Sequence, residues 1–211
     1  MPNPTSFILF VIAALALLLT PGPAVLYIIT RSVDQGRRAG LVSTVGVGVG
    51  TMFHVVGAAL GLSALLLSSV LAFSLVKYLG AAYLIWLGVR KLLTKETLHQ
   101  PAVHDQEGLG HIFRQGVVVN LLNPKTALFI FAFLPQFISL ENGSVAGQFL
   151  FLGFTLVGLG IFSDSLYALL AGTAGNWLRG HPGFFKLQRY FSGGMYITLG
   201  IAAAMSGAGK K

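Results

Sequence analysis

Cysteine is absent from this chain, which excludes disulfides, thiolate metal sites and dithiol redox chemistry together and leaves the redox compartment unmarked. Charge is scarce: 9% of the 211 residues are Asp, Glu, Lys or Arg, and only 6 of those are acidic. The apolar runs lack paired aspartates, a Ser/His arrangement and a His-Glu-x-x-His motif, so an intramembrane hydrolase would have no machinery. Alternating polar strands of about 10 residues, the mark of a membrane barrel, are also missing. No Lys or Arg precedes Arg31, so the first apolar run lacks the positive leader of a cleaved signal peptide and is expected to remain as a span.

What the chain has in quantity is apolar length. Hydrophobic residues make up 55% of it and the mean hydropathy is +0.78, values of the membrane class. Six runs can each cross ~30 Å of hydrocarbon at ~1.5 Å rise per residue: Phe7 to Ile29, Leu41 to Leu67, Val70 to Leu93, Gln115 to Ile138, Val145 to Ala171 and Arg189 to Met205. The predicted fold is an all-α integral membrane protein, one transmembrane domain over 1–211. A formal charge of +8 would suggest nucleic acid in a soluble protein, but here the basic residues sort by loop. Arg31, Arg37 and Arg38 follow the first span, Arg90, Lys91, Lys95 and Arg114 lie between the third and fourth, and Arg179, Lys186 and Arg189 precede the sixth. The linkers around Ser68 and Glu141 have none. The positive-inside rule then makes those three loops cytoplasmic and turns both termini outward, with lipid and not nucleic acid as the surroundings.

Proline interrupts two of the spans. Thr20-Pro21-Gly22-Pro23 lies in the first run and Asn123-Pro124-Lys125 in the fourth. Each proline removes a backbone donor and clashes with the preceding turn, leaving polar groups that hydrocarbon cannot satisfy. Each break lies about nine residues from the basic end of its span, or ~14 Å, so the two are expected at similar depth. Leu18-Leu19-Thr20-Pro21 faintly echoes Leu121-Leu122-Asn123-Pro124. A polar linker, 94–111, separates two sets of three spans, 1–93 and 112–211, which are expected as inverted repeats. Gly46-x-x-x-Gly50 and Gly57-x-x-x-Gly61 predict close helix packing.

The candidate residues cluster around the breaks. Asp164 is the sole acid well inside an apolar run, where a charge costs at least ~2.5 kcal/mol; it is either a packing Asp or a proton-coupling or amine-binding group. Lys125 is expected as an anion partner, a counter-ion to Asp164 or a cap on exposed carbonyls. His54 could titrate near neutrality, although a lone histidine on an apolar face more often serves packing. Asn120, Asn123 and Gln136 offer neutral donors and acceptors. Lys77 with Tyr78 and Tyr83 with Trp86 fit interface anchors better than ligands. Soft-metal transport is disfavoured, since one intramembrane acid and one histidine do not make a cluster; neither a metal site nor a cofactor is expected.

These residues together resemble the LysE-type family of bacterial amino-acid exporters, particularly its homoserine/threonine branch. The likeness rests on Thr20-Pro21-Gly22-Pro23, on Gly36-Arg37-Arg38-Ala39-Gly40 with Gly46 and Gly50, and on His54. It extends through Lys77-Tyr78-Leu79-Gly80-Ala81-Ala82-Tyr83-Leu84 with Gly88, then Asn120-Leu121-Leu122-Asn123-Pro124-Lys125 with Phe133-Leu134-Pro135-Gln136-Phe137. It implies six spans in the inner membrane, a homo-oligomer, and amino-acid export driven by the proton gradient. The expected substrate site is Thr20, Pro21, Gly22, Pro23, Asn120, Asn123, Pro124, Lys125 and Gln136, with Asp164 and His54 for proton coupling. With one buried acid, a small neutral amino acid such as homoserine, threonine or leucine is easier to hold than lysine. A cation or metal-ion exporter on the same fold is the alternative.

Overall fold

A computed structural model describes residues 2–68 and 108–179 throughout, with scattered helical positions between 75 and 93 and between 190 and 205. The spans expected from Val70 to Leu93 and from Arg189 to Met205, and the linker 94–111, therefore lie largely outside the described residues. Every regular element that is described is helical.

Helix α1 (Pro4–Leu18) opens with Asn3 as its cap, the Asn3 side chain accepting from the Ser6 amide at 2.7 Å. It ends at Leu18, and α2 (Pro23–Ser68) restarts with Pro23 in its first position, where a missing N–H costs nothing. The expected break is thus present at Leu19 to Gly22. The echo with the second break holds at the helix ends, since α3 (Leu109–Leu121) stops at Leu121 as α1 stops at Leu18. It slips at the restart, because Pro23, and not Pro21, occupies the position that Pro124 takes in α4 (Pro124–Leu128).

The stretch between the first two expected spans differs from the sequence reading. Residues 30–40 are helical, not a loop, and the only interruption is Gly36, at φ 83° and ψ 175°. That left-handed φ suits a residue without a β-carbon. The two arms of α2, 23–35 and 37–68, turn back on each other there. Ala24 and Ile28 of the first arm share a buried cluster with Val47 of the second and Ala168 of the last helix. Ile28 and Val47 would be ~28 Å apart in an unbroken helix. The second arm by itself retains the length to cross a bilayer.

Past Pro124 the fourth run does not stay α-helical. Phe129–Phe133 forms a π-turn and Leu134–Phe137 a 3-10 turn, and the pair of segments Leu109–Leu121 and Pro124–Phe137 is bent by 50°. Pro135 has no N–H to offer the preceding turn, which forbids a regular helix at this point. The aromatic side chains fill the irregular path: Phe129 stacks on Phe133 at 5.0 Å, and Phe10 meets Phe137 edge-on at 5.4 Å. The last described helix, α5 (Val145–Arg179), begins where the fifth span was expected. Gln148 secures the preceding loop by accepting from the Ser139 amide at 3.0 Å and donating to its carbonyl at 2.7 Å.

Glycine lets α2 and α3 touch backbone to backbone. A β-carbon at Gly46 would lie 2.3 Å from the Phe113 carbonyl oxygen, and one at Gly116 would lie 2.9 Å from that of Ser43. Gly50 meets Val117 and Asn120 in the same way, so the first of the two predicted glycine pairs is a helix seam. Gly57 and Gly61 face nothing within 4 Å among the described residues. Gly46→Ala is therefore expected to force the seam open at a cost of ~1–3 kcal/mol, read as a fall of several degrees in melting temperature in detergent. Gly57→Ala should leave the melt unchanged or raise it slightly, since alanine is the better helix residue, and equal melting of both variants would refute the seam.

At one end of the molecule, the Gly36 turn, the start of α3 and the C-terminal part of α5 come together. Arg31 donates to the Gln115 side chain at 2.6 Å, Tyr27 donates to the Ile112 carbonyl at 2.8 Å, and Gln115 donates to His111 at 2.8 Å. Arg37 packs so close to Gly172 that a β-carbon there would meet its side chain at 2.6 Å.

Candidate functional site

The two breaks face each other through Lys125. Its side chain crosses from the start of α4 to the end of α1, where the ammonium donates to the Leu17 carbonyl at 2.7 Å and also to the Thr20 carbonyl. Tyr167 of α5 donates to the Leu19 carbonyl between them at 3.1 Å. Carbonyls freed when a helix stops inside hydrocarbon need donors, and here side chains from α4 and α5 supply them. Of the roles expected for Lys125, capping exposed carbonyls is the one its hydrogen bonds realise.

The second break is held by a closed amide and hydroxyl network. Asn123 caps α4, its side-chain oxygen accepting from the Lys125 amide at 3.1 Å. The same side chain donates to Asn120 at 3.2 Å and to Thr126 at 3.1 Å. Asn120 donates across to the Val47 carbonyl at 2.9 Å and the Thr51 hydroxyl at 2.8 Å on α2, and accepts from Thr126 at 2.9 Å. Both asparagines are buried, and through Asn120 these bonds tie the break to the second arm of α2.

Between the breaks lies a cavity of about 50 Å³, larger than the ~10–15 Å³ that a single water requires. Its polar wall consists of Lys125, Asn120, Asn123, Thr126, Thr51 and Asp164, and its apolar wall includes Leu18, Val47 and Ile161. Asp164 is 5% exposed, and its Oδ1 has no hydrogen-bond partner among the described residues. A buried carboxylate oxygen that lines a cavity without a partner is a site for something mobile, a proton, a water or a cation. Lys125, 6% exposed, is close enough for electrostatic attraction to Asp164.

Of the residues picked from sequence, Gly22, Asn120, Asn123, Lys125 and Asp164 meet around this cavity. Thr20 is buried beside it, its hydroxyl returned to the Ala16 carbonyl at 2.7 Å while its own carbonyl takes Lys125. Pro21 is buried, Pro23 is exposed and Pro124 half-buried; none of the three lines the cavity, and Pro23 and Pro124 set where helices restart. His54 stands behind the network, its Nε2 donating to the Asn120 carbonyl at 3.1 Å and its ring edge-on to Phe131. Gln136 lies away from the cavity on the 3-10 turn, donating to the Ala132 carbonyl at 2.9 Å. Thr51, Thr126 and Gly160 also line the space but carry no sequence signal: a helical hydroxyl is ordinarily satisfied by its own i−4 carbonyl, as Thr51 is by Val47 at 3.1 Å, and a glycine in a membrane helix commonly serves packing.

The family model described as "LysE type translocator" matches residues 15–207. The chain belongs to that family. This translocator is 31% identical over 195 residues to the homoserine/homoserine lactone efflux protein of Salmonella typhimurium, covering 92% of this chain and 94% of the relative. It is 32% identical over 153 residues to the leucine efflux protein of Enterobacter sp., covering 72% of each. An uncharacterized membrane protein of Bacillus subtilis, YrhP, is 30% identical over 95% of this chain and 99% of its own. No solved structure matches the chain. The translocator is a membrane transporter and not an enzyme.

Proposed function

We propose that this translocator exports small neutral amino acids from the bacterial cytoplasm in exchange for protons, and that the cavity between the two breaks is where the substrate binds. The observation that carries the proposal is the Asp164 oxygen that finds no partner among the described residues, in the wall of a cavity also lined by Lys125. A free amino acid brings two opposite charges a few ångströms apart. Its ammonium suits Asp164. Its carboxylate suits the first turn of α2, where the amides of Ala24 and Val25 have no carbonyl within the helix to bond and the dipole favours an anion; both residues line the cavity. Lys125 adds positive charge on the same side. Names of relatives that efflux homoserine and leucine agree with a neutral side chain.

Proton exchange follows from competition for one oxygen pair. A proton and the substrate ammonium both neutralise Asp164, so binding one releases the other, and alternating exposure of the cavity couples their fluxes in opposite directions. The surrounding architecture we propose is six spans in two inverted halves, 1–93 and 112–211, joined by a cytoplasmic linker. The basic loops lie in the cytoplasm, both termini outside, and the protein assembles as a homo-oligomer in the inner membrane. A cation exporter is less favoured, because among the described residues no three His, Asp or Glu side chains gather.

Purified protein in liposomes with an imposed pH gradient tests the proposal. Labelled homoserine, threonine or leucine is expected to move against its gradient, and an ionophore that collapses the proton gradient should stop it. Preference for lysine, or proton flux stimulated by metal ions and by no amino acid, would overturn the assignment.

A further inference from the structure

We propose that Gly160 forms the floor of a side-chain subsite and sets the largest side chain the transporter accepts, an inference that rests on the amino-acid reading above. Gly160 lies one helical turn before Asp164 on the same face of α5, and both line the cavity. A substrate whose ammonium is held by Asp164 therefore places its side chain within reach of position 160.

The surroundings separate this glycine from those that serve packing. A β-carbon at Gly46, Gly50 or Gly116 would collide with backbone, and one at Gly48 would press on Ile161 at 3.1 and 3.2 Å. A β-carbon at Gly160 would meet, among the described residues, only Leu18 Cδ2 at 3.6 Å, an ordinary contact, and Gly160 is part of the cavity wall. The described neighbouring helices thus do not require the glycine, and within a helix alanine is the better residue. What the missing methyl leaves behind is room, bounded by Leu18, Val157 and Ile161. That apolar boundary matches an aliphatic side chain and offers a charged one no partner. Within a cavity of about 50 Å³, one added methyl removes a sizeable share of the volume.

Gly160→Ala, Gly160→Val and the control Gly158→Ala should be compared in liposomes against alanine, homoserine, leucine and phenylalanine. A β-carbon at Gly158 would have nothing within 4 Å among the described residues, and Gly158 does not line the cavity. The expected result is that Gly160→Ala lowers transport of the largest substrate the wild type moves, relative to the smallest, by about ten-fold or more, the scale of one misfitted methyl group. Gly160→Val should move the cut-off to still smaller side chains, and Gly158→Ala should leave the ratio as it was. Equal slowing of every substrate by Gly160→Ala, or no change in the ratio, would overturn the subsite while leaving the exporter reading intact. A wild-type protein that moves no member of the panel would instead overturn the exporter reading, and the subsite with it.

Discussion

Asp164→Asn is expected to abolish uphill transport while leaving the protein folded. Asparagine keeps the shape of aspartate and one carbonyl acceptor but can neither carry the negative charge nor take up and release a proton. Two losses follow. The substrate ammonium exchanges a charge-assisted hydrogen bond for a neutral one, a difference of ~1–2 kcal/mol, which raises the apparent KM about ten-fold. The exchangeable proton disappears outright, so an imposed pH gradient should no longer drive accumulation, whatever exchange of amino acid down its own gradient persists. The melting temperature should stay near that of the wild type, because Lys125 keeps its carbonyl acceptors at Leu17 and Thr20 and a costly intramembrane charge is gone. Tracer flux with and without a pH gradient, beside a detergent melt, separates these effects. Undiminished proton-driven accumulation by the variant would reject Asp164 as the coupling group.

The sequence announces the breaks and the acid because both violate a local rule. Proline inside an apolar span cannot complete the helix, and a carboxylate there must find a use, so Pro21, Pro23, Pro124 and Asp164 could be picked out without coordinates. Pro135 carries the same signal, and the π-turn and 3-10 turn around it were open to that reading. The reversal at Gly36 was harder to see. Polar residues on either side of it suggest a loop, yet Arg37 and Arg38 are good helix formers, and the turn needs a single left-handed glycine. Which of two glycine pairs becomes the seam depends on what lies across from each, as Phe113 lies across from Gly46, and that is tertiary information. So is the difference between Asn120, drawn into the network, and Gln136, which turns back on its own helix. Lys125 illustrates the limit most sharply: its position after a proline marks it as unusual, but its bonds reach more than a hundred residues back along the chain.

That reach makes Lys125 the residue whose loss should cost most stability. Lys125→Met keeps much of the side chain's length and removes its charge and donors. The Thr20 carbonyl then loses the Lys125 donor and the Leu17 carbonyl keeps only the Thr20 amide, and Asp164 becomes a buried anion without the Lys125 charge beside it. Breaking a buried charge arrangement from one side costs ~3–5 kcal/mol, so a marked fall in melting temperature is expected. The double variant Lys125→Met/Asp164→Asn distinguishes the two contributions. If Asp164 and Lys125 stabilise each other, neutralising the stranded carboxylate should recover ~1 kcal/mol or more of the loss, a coupling that a double-mutant cycle reads directly. If the second substitution recovers nothing, Lys125 acts solely as a clasp between the two broken helices. Asp164 would then face the cavity alone, with its charge balanced by whatever occupies that space.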